Sequence, residues 1–239
     1  ANWRFHFLNR IPNRAAMWQL LQFPLCPFSR KVRLQMGEKG IAYSLVRENP
    51  GEHRDEVLYM NPAARTPVLV DPARNLTLCD SVAIGEYIEE VSDTAPMISG
   101  SAAYRAEIRR LTAWFDQQFY GDVTAPLLHE RMKKRLVHRQ PPDSTVLREA
   151  MRLANGHLDY IDYLIDHRAW IAGPTMSMAY LAAAAQISVA DYLGGIDWSG
   201  HEQTKSWYAM FKSRPSFRPL LSERMEAITP PPYYEQVDF

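Results

Sequence analysis

Residues 61–71 read NPAARTPVLVD, and what precedes and follows this stretch decides the fold. TPVLVD (66–71) has the apolar, β-branched character of a short strand. DPARN (71–75) is a turn, and LTLCD (76–80) is a second strand. Before it, GEHRDEVLYMNPAA (51–64) is a polar, part-helical connection, and IAYSLVREN (41–49) alternates enough for another strand. Earlier still, WQLLQF (18–23) is a strand candidate and FPLCPFS (23–29) a turn. RKVRLQMGEKG (30–40) belongs to a helix expected to begin near Ser29 and to stop at Gly40. After the hairpin, SVAIGEYIEEV (81–91) is a helix whose Val82, Ile84, Tyr87, Ile88 and Val91 mostly share one face. The order βαβ, ββ, α predicts a small mixed sheet with helices packed on it.

From about residue 101 the strand signals vanish. AYRAEIRRLTAWFDQQFYGDVTAPLLHERMKKRL (103–136) places Ile108, Leu111, Phe115 and Phe119 at helical spacing, predicting a long helix bent near Pro126. VLREAMRLANGHLDYIDYLIDH (146–167) is a second helix, with Leu147, Met151, Leu158, Ile161 and Ile165 as its apolar set. MAYLAAAAQISVADYL (178–193) is apolar nearly all round and predicts a buried central helix. HEQTKSWYAMFKS (201–213) is amphipathic, and RPSFRPLL (214–221) follows it. The expected division is an extension or cloning remnant at 1–16, a mixed α/β domain at 17–93, a linker at 94–100, an all-helical domain at 101–225 and a tail at 226–239.

Composition narrows the function. With 27 cationic against 27 acidic side chains in 239 residues, the chain has no general nucleic-acid footprint. Two cysteines, Cys26 and Cys79, are too few for a disulfide scaffold and suit a reducing cytosol. No stretch has the length of a membrane span, so direct membrane insertion is not expected. His6, His53, His129, His138, His157, His167 and His201 have no metal-ligand spacing along the chain, and no metal is predicted.

Three motifs carry a family resemblance. CPFSRKVRLQMGEKGI (26–41) resembles the first turn and helix of the cytosolic glutathione transferase superfamily. NPAARTPVLVD resembles its Asn-Pro and x-Pro-Val-Leu turn, and CDSVAIGEYIEE (79–90) resembles its acidic residue and serine at the start of the third helix. The resemblance covers residues 17–225 and implies a glutathione transferase fold, a thioredoxin-like amino-terminal domain followed by an all-α domain. It implies that Pro67 is cis and that glutathione is a substrate or ligand rather than a required cofactor. Thr66 and Pro67 would then meet the peptide backbone of glutathione, and Asp80 and Ser81 at a helix N-terminus its γ-glutamyl end.

Cys26 and Ser29 are the candidate catalytic residues. A thiol near a helix start, with Arg30, Lys31 and Arg33 close in sequence, is expected to have a lowered pKa and can form a mixed disulfide. Ser29 can instead donate to a bound thiolate. In the alternative reading Cys26 only fills a turn and Ser29 caps the helix. Cys79, in an apolar strand, reads as core. One departure from the superfamily is Ser177-Met178-Ala179-Tyr180, where Tyr180 stands in place of the acidic residue of the usual capping box.

The second half, and above all the tail PPPYYEQVDF (230–239), resembles the FzlA group of alphaproteobacterial division proteins. That resemblance implies a homodimeric adaptor that binds FtsZ, acts at the division site and has little or no catalysis. The alternatives are an active glutathione S-transferase conjugating electrophiles and a cysteine-type thiol transferase. Candidate partner-binding residues are Glu130, Arg131 and Lys134 in the basic stretch HERMKKRL (129–136), with Tyr234, Asp238 and Phe239 in the tail. The tail reads either as an exposed docking segment, dispensable for folding, or as packing back on its own domain.

Overall fold

The computed structural model describes residues 17–49, 55–226 and 228–237. Asp238 and Phe239 lie outside the described residues, as do residues 1–16. Strands β1 (Trp18–Gln22), β2 (Tyr43–Arg47), β3 (Val68–Asp71) and β4 (Leu76–Cys79) form one sheet in the order β2-β1-β3-β4. β1 runs parallel to β2 and antiparallel to β3, and β3 and β4 form the predicted hairpin.

The Val68-Leu69-Val70 run is apolar on both faces because both are covered. Leu69 packs with Leu20, Val32, Met36, Ile84 and Ile88, while Val68 and Val70 pack with Leu21 and Val57 on the other side. The first group draws on helices α1 (Pro27–Glu38) and α3 (Ser81–Val91), and the second on the short α2 (Asp55–Met60). Ile84 and Ile88 face the sheet as expected, but Val82 and Val91 are exposed.

α1 begins earlier than Ser29. Pro27 occupies its first turn, where the missing N–H costs nothing, and Cys26 is the N-cap, its sulfur accepting from the Ser29 amide at 3.5 Å. The helix ends in a Schellman motif. Gly40 adopts φ +64°, the Gly40 amide bonds the Gly37 carbonyl, and the Ile41 amide bonds that of Met36 at 2.9 Å.

In the helical half, α4 (Ala102–Ala113) continues without a break through Trp114–Thr124, Ala125–Leu127 and Leu128–His138. Pro126 therefore does not end the helix. The stretches on either side of it adopt the wider π-helical winding. α5 (Ser144–His167) starts on the Asp143 cap. α6 (Met178–Tyr192) is buried along its whole length, as its composition predicts, and packs against α1, the long helix and α4. α7 (Glu202–Lys212) and the short α8 (Arg218–Leu221) complete the bundle.

The absent capping box at α6 has a structural answer. Ser177 stands at the N-cap, but its buried hydroxyl makes no cap bond. Tyr180 instead makes edge contacts with Trp170, Trp207 and Phe211 at centroid distances of 4.9, 5.0 and 4.8 Å. Aromatic packing replaces polar capping at this helix start.

The cations of α1 do not surround Cys26. Arg30 donates to the Pro24 carbonyl, the Ser188 hydroxyl and the Tyr234 hydroxyl; Lys31 pairs with Asp116; Arg33 pairs with Glu223 at 2.6 Å. One turn on, Glu38 takes a two-pronged bond from Arg214 at 2.6 Å and another from Ser216. Those side chains weld the two halves together, so the cations expected beside Cys26 are committed to other partners. One tail residue, Tyr234, is likewise part of the core. Residues 232–235 form a 3-10 turn, Tyr234 is 0% exposed, and its ring meets Tyr192 at 5.1 Å.

Candidate functional site

The residues named from the first-half motifs converge where α1, the Thr66-Pro67 bond and α3 begin. The Thr66-Pro67 peptide is cis, as expected. The Cys26 thiol donates to the Thr66 carbonyl at 3.4 Å, which ties the α1 cap to the entry of β3. Ser29 lies in the first turn of α1 and is fully buried, with its hydroxyl unpartnered among the described residues. It therefore neither caps the helix nor reaches the surface to serve as a nucleophile.

Asp80, not Ser81, is the N-cap of α3. It sits at φ +74°, and its carboxylate accepts from the Val82 and Ala83 amides at 2.7 and 3.2 Å. The cap uses the second and third helical amides; among the described residues, neither the Ser81 amide nor its hydroxyl has a partner. A carboxylate presented here would meet a hydroxyl, an N–H and the positive end of the helix dipole. Cys79, one residue earlier, donates to the Met60 carbonyl at 3.1 Å, and burial pushes its thiol pKa up. It is half-buried rather than core, and its raised pKa makes it a poor nucleophile.

Sequence reasoning missed the roof of this site. Tyr120, from the long helix, packs on Phe28 with the rings tilted and their centroids 4.8 Å apart. Burial and the nearby Cys26 push the Tyr120 hydroxyl pKa up, while Arg65 opposes them. Phe28 lies within the motif already singled out, but only the meeting of the two halves brings Tyr120 over it. No spacing rule connects residues so far apart.

The basic stretch divides into inward and outward groups. Glu130 is buried; its carboxylate accepts from the Asp143 amide at 2.6 Å and pairs with Lys134 at 2.7 Å, both holding its pKa below the usual range. Arg131 is half-buried, and its guanidinium donates to the Leu193 carbonyl. Lys133, Arg135 and Arg139 remain exposed and make no ion pair among the described residues. Tertiary structure also brings His201 within 2.9 Å of Asp162, but that carboxylate accepts from the Thr204 amide and hydroxyl as well and so caps α7.

The sheet order, the cis Thr66-Pro67 bond and the Asp80-Ser81 helix start are those expected of the glutathione transferase fold. Residues 20–96 match the model of the glutathione S-transferase N-terminal domain. The chain is 42% identical over 222 residues to FtsZ-localized protein A of Caulobacter vibrioides, covering 92% of this chain and 97% of that relative. The chain belongs to the glutathione S-transferase family. Within the family it resembles the FzlA group along nearly its whole length. The solved structure of FzlA from C. crescentus superimposes with a TM-score of 0.90 at 42% identity, covering 93% of this chain and all of that one. A solved protein described as a glutathione S-transferase from Rhodospirillum rubrum F11 matches equally well, with a TM-score of 0.90 and 44% identity over 93% of this chain and 100% of that one.

Proposed function

We propose that this transferase-fold protein is a homodimeric adaptor that binds FtsZ and regulates cell division from the division site, with little or no catalysis of its own. The observation that carries this reading is the likeness to FtsZ-localized protein A, which extends over both halves. The site chemistry agrees with it. Ser29 is sealed inside, the Cys26 sulfur is held between the Ser29 amide and the Thr66 carbonyl, and the cations that would activate it serve the interdomain contact.

A second reading, conjugation of glutathione to electrophiles, is favoured by one feature: the unpartnered Ser81 amide and hydroxyl just after β4, the strand paired with the one that Thr66-Pro67 leads into. Glutathione would place its γ-glutamyl carboxylate there and its cysteine near Cys26. The thiol-transferase reading has only Cys26 in its support. Co-sedimentation with FtsZ polymers, run beside a glutathione-conjugation assay, separates the readings. Co-sedimentation without turnover supports the adaptor; turnover without co-sedimentation replaces it with the enzyme.

A further inference from the structure

The end of the long helix, the loop after it and the proline-rich tail enclose a groove of about 810 Å³. Pro141, Pro142, Leu147 and Leu193 line it together with residues 228–232, so most of its wall is apolar. The backbone of those prolines offers no N–H, so an occupant is recognised by its side chains rather than by strand pairing. Stiff walls also reduce the ordering cost of filling the groove.

The charge at this groove is one-sided. Its lining includes Arg131 and Arg135, and Lys133 and Arg139 stand exposed nearby in the chain. Glu130, the acidic group in the lining, is already neutralised by Lys134 and the Asp143 amide. Arg131 has been drawn half out of water with a carbonyl for a partner and no carboxylate among the described residues. Gly194 makes this approach possible. It sits at φ +65° just past α6, and a side chain there would meet the Arg131 guanidinium at 2.9 Å and Pro231 at 3.3 Å. Next in the chain after Arg135, Leu136 and Val137 are 42% and 48% exposed.

We propose that this groove is a docking site for an extended acidic segment carrying apolar side chains, which on the adaptor reading belongs to FtsZ. Carboxylates of the segment pair with Arg131 and Arg135, and its apolar side chains enter between the prolines and Leu193. The volume accommodates several side chains of one extended strand, and a concave, proline-walled cleft does not match the flat face of a bilayer.

The test uses the full chain, FtsZ polymers and an array of overlapping short peptides covering FtsZ. The wild type should bind a subset of peptides rich in Asp or Glu and in apolar residues. Two variants leave the core untouched: Lys133→Glu with Arg135→Glu, and Gln140→Trp, which fills the groove without changing its charge. Each should lower affinity for those peptides and for the polymers by roughly tenfold or more while melting like the wild type. Variants that bind both like the wild type overturn the groove and leave the adaptor reading standing. A wild type that binds neither overturns both. Polymer binding with no peptide binding overturns the extended segment. Sedimentation with phosphatidylglycerol vesicles that the same variants abolish, without peptide binding, assigns the surface to lipid instead.

Discussion

The buried Arg30 guanidinium donates to the Tyr234 hydroxyl at 3.1 Å, joining the first helix of the sheet domain to a residue 204 positions later in the tail. The same cation holds the Ser188 hydroxyl and lies 6.0 Å from the centre of the Tyr192 ring, so it meets the sheet domain, the central helix and the tail at one point. Burying an Arg is costly unless its donors are used; Pro24, Ser188 and Tyr234 take those of Nε and Nη1, while Nη2 has no partner among the described residues.

Tyr234→Ala should therefore destabilise the protein by about 3–5 kcal/mol, the range for removing a buried aromatic side chain. Tyr234→Phe keeps the ring and should cost about 1–2 kcal/mol through the unpaired Arg30 donor. Denaturant midpoints measure both. Truncation before residue 233 should also melt early. A truncated protein as stable as the full chain would show that the tail is dispensable for folding after all.

Asp191 gives a pH dependence. Burial pushes its pKa up to about 7, against the opposing pull of Lys212, the Trp198 indole, Tyr208 and Arg30; Tyr233 and Tyr234 also face it. Its folded pKa lies above the ordinary carboxylate value, so the folded state favours the neutral acid. The cost of ionising it is absent in acid and grows as pH rises from about 4 to 7. Asp191→Asn should thus gain stability relative to the wild type across that window and level off above it. Paired guanidine titrations at several pH values read the difference, and a gap that narrows with rising pH contradicts the assignment.

The Glu38 carboxylate behaves in the opposite sense. Burial acts to raise its pKa, but hydrogen bonds from Arg214 and Ser216 outweigh burial and hold it below the usual range. The stabilisation is present above the unfolded value of 4.5 and is lost as pH falls through the lower folded value. Arg214→Met should cost about 2 kcal/mol at neutral pH, because a nearly buried carboxylate loses its partner. The cost should shrink in acid, and a cost independent of pH would point to lost packing instead.

For the ligand site, Ser81→Ala should weaken glutathione roughly tenfold, about 1.4 kcal/mol, by calorimetry. Identical isotherms for the two proteins would remove Ser81 from the site. Cys26→Ala should keep any conjugation activity within about tenfold and cost up to about 1 kcal/mol through the lost helix cap. Complete loss of turnover would restore the cysteine mechanism.

The sequence by itself determined the order of strands and helices, the hairpin at residues 66–80, the fully buried α6 and the Gly40 stop. Each depends on periodicity, turn residues or a positive φ, which act over a few positions. The family motifs likewise located Thr66, Pro67, Asp80 and Ser81 in one region. Tertiary structure alone decided what the polar groups do. Arg30, Lys31 and Arg33 look like a solvated run, yet all three are buried against the second half, and Tyr234 looks like an exposed aromatic, yet it lies in the core. Capping went to Cys26 and Asp80 rather than to the serines beside them, because it depends on which side chain the backbone aims at the free amides. A local pattern records how apolar surface is arranged along an element. Which charges meet across two domains depends on contacts between residues far apart in the chain, and no short-range signal encodes that pairing.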